Sequence, residues 1–101
     1  MNKEQAKVKF ETICKIYIPR KINDYRIEWQ MTSEDGKVTH GVGTIIFHLR
    51  ICAYGKYGKK DDRTLDYRIY TDSDFGNQVD VVLRNDLRSD LFNYLEVMNR
   101  I

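Results

Sequence analysis

The sequence predicts an α+β domain: a curled four-stranded antiparallel meander, with an N-terminal helix (or fifth strand) and a C-terminal helix packed on one face. Three observations carry this. Residues 25–32, YRIEWQMT, alternate apolar and polar without a fault. A second apolar run, from Val38 to Ala53, also alternates but changes phase on the way. Near the end the period switches, and Leu87, Leu91, Leu95 and Met98 recur at helical spacing.

The first segment, residues 4–18, reads two ways. As a helix, Ala6, Phe10, Ile13, Cys14 and Tyr17 form an apolar stripe that Pro19 ends. As a strand, Val8, Phe10, Thr12, Cys14, Ile16 and Ile18 alternate against Lys7, Lys9, Glu11 and Lys15. The helix formers of KEQAK tip the balance towards helix. Next comes a strand with Tyr25, Ile27, Trp29 and Met31 on one face. Asp35-Gly36 predicts a tight turn, because glycine accepts the positive φ that such a turn needs. In the return strand Val38, His40 and Val42 share one register, while Ile45, Phe47, Leu49, Ile51 and Ala53 share the other. The switch at Gly41-Val42-Gly43 predicts a β-bulge. Residues 65–72, LDYRIYTD, predict a third strand, SDFGN a turn, and residues 78–84, QVDVVLR, a fourth strand. A helix over 87–100 follows, with Asp86 as its N-cap.

The 101 residues support one domain, residues 1–101. With 42% hydrophobic and 32% charged residues, the chain has a core and a well-solvated surface. No apolar stretch approaches the roughly 20 residues that span a bilayer. The opening MNKEQAKVKF has no signal-peptide core, so a cytoplasmic protein without membrane contact is expected. Cys14 and Cys52 form no CxxC pair and read as reduced, buried side chains. The net charge of +2 hides an asymmetry: residues 1–60 carry 12 Lys and Arg against 6 Asp and Glu, and residues 61–101 carry 5 against 9. If the halves separate in space, the molecule has a basic and an acidic face.

Residues 48–60, HLRICAYGKYGKK, concentrate candidate binding groups. Arg50, Lys56, Lys59 and Lys60 could neutralise phosphates, helped by Arg20 and Lys21, while Tyr54 and Tyr57 stack on bases. Alternatively the stretch is a strand end whose lysines guard a sheet edge, with Asp61 and Asp62 cancelling part of the charge. Of the seven tyrosines, Tyr25 and Tyr67 belong with Trp29 in the core. Tyr17, Tyr54, Tyr57, Tyr70 and Tyr94 are harder to bury together. Tyr70 shares a strand face with Arg68, and aromatics flanked by cations are typical anchors of protein interfaces.

Signals for chemistry are missing. His40 and His48 are the only histidines, and the expected bulge turns them to different faces, which suits neither a metal pair nor a catalytic dyad. Asp72 and Asp74 lack the spacing of a calcium loop. GVGTII lacks the third glycine of a dinucleotide fingerprint. No nucleophile–base pair can be assembled, and a small curled sheet offers little pocket volume. An enzyme would need His48 brought to Asp or Glu residues by the fold. The expectation is therefore a small, intracellular, non-enzymatic binding protein without metal or cofactor, an inhibitor or adaptor of the kind phages and mobile elements encode. It would dock on a macromolecule, a protein before a nucleic acid, through Arg50, Tyr54, Lys56, Tyr57, Lys59, Lys60, Arg68 and Tyr70.

Overall fold

The computed structural model describes residues 3–35, 44–70 and 82–100, and for residues 3, 44, 70 and 82–84 the backbone alone. Its elements are α1 (Lys3–Tyr17), β1 (Lys21–Ile22), β2 (Tyr25–Asp35), β3 (Thr44–Gly55), β4 (Gly58–Tyr70), a π-helical turn (Val82–Leu87) and α2 (Arg88–Arg100). The strands form one antiparallel sheet in the order β1-β2-β3-β4, a meander. The molecule measures 46 × 23 × 19 Å. Strands as long as β4 extend about 3.3 Å per residue, which accounts for the long dimension.

The N-terminal segment is a helix. Ala6, Phe10 and Cys14 recur every four residues, and all three are buried. The strand pattern of the same residues would have buried Val8 and Ile16, which are exposed. The Ile18 N–H still donates to the Cys14 carbonyl at 2.9 Å, and Pro19 then ends the helix. The chain reverses between β1 and β2 at Asn23, whose φ of 52° lies in the left-handed region that asparagine tolerates.

β3 organises the sheet. Ile45, Phe47, Leu49, Ile51 and Ala53 point to the inner face and are all buried. Opposite them stand Ile27, Trp29 and Met31 of β2, and Leu65, Tyr67 and Ile69 of β4. Both helices cover this face: Phe10 of α1 stacks on Phe47 with ring centroids 4.0 Å apart, and Leu91, Tyr94 and Met98 of α2 complete the core. Tyr67 donates to Asp90 at 2.7 Å, tying β4 to α2. Burial and this bond raise the Tyr67 phenol well above its ordinary range.

Several expectations are corrected. The Asp35-Gly36 pair is not a tight hairpin, since Asp35 is a strand residue paired with Ile45. The stretch from Gly36 to Gly43, with His40 and the expected bulge, lies outside the described residues, as does the TDSDFGN turn. β4 begins at Gly58, not at 65, because the charged run KKDDRT is itself strand. Such residues suit a sheet edge, where charge discourages further pairing. Residues 82–84 of the expected fourth strand are helical, while 78–81 lie outside the described residues. The wide π turn brings Leu87 into step with Leu91, Tyr94 and Met98, and all four are buried. Asp86 therefore sits inside a helical turn and is not an N-cap. The fourth strand is instead the short β1. Tyr94, expected to resist burial, is fully buried, and burial pushes its phenol up to about 12.

The Tyr67–Asp90 bond has a measurable weight. Tyr67→Phe removes the donor and leaves a part-buried carboxylate without it. The unfolding free energy should fall by about 1.5–3 kcal/mol, as expected for a hydrogen bond to a charged group. Chemical denaturation at constant m-value reads the loss; a change under about 0.5 kcal/mol would deny the bond a structural role.

Candidate docking face

The outer face of the sheet, opposite the helices, carries the candidate site. Its residues come from three strands in register: Arg26 opposite Tyr54, Glu28 opposite Cys52, Gln30 opposite Arg50, and Asp62 opposite Cys52 on the other side. An open trough of 770 Å³ runs among Arg20, Arg26, Glu28, Gln30, Arg50 and Tyr54, more volume than the small sheet suggested. The Arg26 guanidinium lies over the Tyr54 ring, 5.1 Å from its centroid, and 3.5 Å from Glu28.

Asp62 is the electrostatic centre. Arg50 donates to it twice, from Nε at 3.0 Å and from a terminal nitrogen at 2.7 Å. Lys59 donates at 3.0 Å, and the Cys52 thiol lies at 3.4 Å. The bonds from Arg50, then Lys59, hold the Asp62 carboxyl well below the usual carboxylate range. The same bonds raise Arg50 and Lys59. Cys14 and Cys52 are both free and buried, with the sheet between them, and burial pushes the Cys14 thiol up to about 12.

The expected binding residues divide. Arg50, Tyr54 and Lys59 share the outer face. Lys56 and Tyr57 form the tip of the β3–β4 hairpin, closed by Gly58 at a φ of +116°, a value suited to glycine. Tyr57 is 86% exposed, and the Lys56 ammonium sits 5.7 Å from its ring centroid. Lys60 does not join Lys59. The register shifts between Ala53 and Tyr54, so Lys60 is the extra residue of a bulge. Its side chain, like the Tyr25 ring, crowds Gly55 at 3.2 Å from where a Cβ would stand. Arg68 lies at the far end of the same face. Tyr70 pairs with Thr44 through its backbone, and its side chain lies outside the described residues.

Two features escaped the sequence reading. One is Arg26 over Tyr54. The other is His48, which the register sets between two carboxylates: Nδ1 is 2.6 Å from Asp66 and Nε2 is 3.1 Å from Glu34. These line a small hollow of 300 Å³ with Ile46 and Arg68. The fold thus gathers the imidazole and carboxylates that an enzyme would require. Donating to both acids at once requires the doubly protonated imidazolium, and the two carboxylates favour that form; the neutral ring can donate to only one of them. Among the described residues, no group of three or more His, Cys, Asp and Glu is placed to hold a metal ion.

Fold and face together define a small α+β module with a mixed-charge, tyrosine-bearing sheet surface. Comparisons with known protein families, curated proteins and solved structures return no match to this chain.

The His48 bridge sets a pH dependence. The bond to Asp66 is the largest influence and raises the folded-state pKa above the ordinary 6.5; burial opposes it, and the bond to Glu34 adds to the rise. A group raised by folding stabilises fully below its unfolded pKa and loses that contribution as pH rises through the folded pKa. Stability should therefore fall on the alkaline side of 6.5, and His48→Gln should flatten that fall. NMR titration of the His48 ring, together with denaturation across the same pH range, measures both effects.

Proposed function

We propose that this chain is a non-enzymatic docking module, an inhibitor or adaptor of the cytoplasm. Its outer sheet face and hairpin tip bind a protein partner. The observation that carries this is the double engagement of Asp62 by Arg50 and Lys59. Two cations of the basic stretch share one carboxylate, which offsets one of their two charges and fixes both side chains, and a third, Lys60, lies beside Tyr25 rather than with them. What remains is a surface of both signs around Tyr54, with Tyr57 extended at the tip. Such a surface complements another protein better than a uniformly negative phosphate chain. Among the described residues, no helix is long and apolar enough to cross a membrane.

A nucleic-acid reading is supported by one feature: Arg20, Arg26 and Arg50 line the same trough as Tyr54. The two readings part in the test. In the docking reading, partners captured on the tagged chain survive nuclease treatment. Tyr57→Ala and Tyr54→Ala then each weaken the recovered complex by about 30-fold or more, as truncated aromatic anchors do, with little dependence on salt. A labelled single-stranded oligonucleotide of about 20 nucleotides should bind no more tightly than the non-specific micromolar-to-millimolar range at physiological salt. Asp62→Asn, which releases Arg50 and Lys59, should strengthen that oligonucleotide binding. Capture abolished by nuclease, or submicromolar oligonucleotide binding by the native chain, would sink the protein-docking reading.

A further inference from the structure

We propose that the chain forms a two-fold dimer through the exposed stripe of α2. Phe92 of each copy enters the groove beside α2 of the other, and Arg88 pairs across the interface with Glu96 of the second copy. Phe92 is 67% exposed, and Ile16 on α1 is 69% exposed, so the helical side presents large apolar groups to water. Phe92 itself borders a groove of 640 Å³, lined also by Tyr17, Leu91 and Leu95 and by the polar Asn85, Arg88 and Ser89, and wide enough for a phenyl ring.

The occupant is argued from charge order. Arg88, Phe92 and Glu96 follow at intervals of four along α2 and are all exposed, so they form one stripe reading cation, aromatic, anion. A two-fold axis through Phe92 packs two such stripes antiparallel and sets each Arg88 against the other copy's Glu96. A parallel arrangement would set like charges together. The stripe is thus complementary to itself in one orientation, as an isologous interface requires. Arg88 is available for this. Its guanidinium lies over the Tyr17 ring at 5.5 Å, and among the described residues it has no carboxylate partner. Glu96 bonds Arg100 at 2.6 Å within the same helix, an exposed pair that exchanges at little cost. The helices and the outer face lie on opposite sides of the sheet, so a dimer would display two docking faces at once and gain avidity for a repeated partner.

Sedimentation equilibrium of the full chain tests this over about 1–500 µM, the range where modest interfaces assemble. The expected result is a reversible monomer–dimer equilibrium. Phe92→Ala should weaken it by about 30-fold or more, as loss of a central aromatic anchor does. Arg88→Glu and Glu96→Arg should each weaken it, and an equal mixture of these two variants should recover association as a heterodimer, because both cross-pairs are then opposite in charge. Circular dichroism shows that each variant is folded, as substitutions at exposed positions should leave it. A monomer throughout the range overturns the proposal. So does a dimer indifferent to Phe92→Ala, or charge-reversed variants that fail to associate when mixed.

Discussion

The alternation of β3 is the constraint on which the molecule rests. This strand is paired with β2 on one edge and β4 on the other. Its odd-numbered residues from Ile45 to Ala53 fill the core, and its even-numbered residues from Ile46 to Tyr54 build the outer face. Side chains in a strand repeat every two residues, so a slip of one position would exchange the two sets. It would send Phe47 into water and Arg50 under the helices. Burial of the odd set fixes the register, and the register then decides which charges meet on the other side. The stack of Phe10 on Phe47 works in the same direction, because it anchors α1 to the middle of that strand.

Electrostatics on the outer face follow from topology more than from composition. Along the chain, the basic and acidic residues are segregated by half. The hairpin folds the start of the acidic half back against the end of the basic half. Asp62 thereby meets Arg50 and Lys59, and Asp66 meets His48. A charge dipole in the sequence becomes a set of cross-strand pairs in space. Each exposed pair contributes little to stability. Together they set the pattern of sign that an approaching surface would meet.

Much of the fold was legible in local period. The leucine spacing of α2 and the alternation of β2 and β3 carry their own structure. The run KKDDRT was not legible, because its strand character comes from pairing with β3 and not from apolar residues of its own. The period-two pattern of Val79, Val81 and Leu83 misled at residues 82–84, where the helical phase set by Leu87 and Leu91 prevails. For the site, the cation–tyrosine grouping at Arg50, Tyr54 and Lys59 was visible because those residues lie close along one hairpin. Lys60 was misplaced by a bulge that no motif announces. Arg26 over Tyr54, and His48 between Glu34 and Asp66, join residues far apart in sequence. Only the register between strands brings them together.

The inner face explains why the hairpin tip is free to make contacts. Opposite Ile51 and Ala53, β4 contributes Arg63 and Asp61 in place of apolar side chains. Arg63 lies over the Tyr94 ring at 5.1 Å and 3.7 Å from Asp61. Here an Asp61 oxygen and the Tyr94 hydroxyl are buried without hydrogen-bond partners among the described residues. Such groups are costly to bury. The β3–β4 hairpin ends in Lys56 and Tyr57, and Tyr57 is exposed. Lys56 and Tyr57 stand where neither helix needs them for packing, so their side chains can serve recognition without cost to the core.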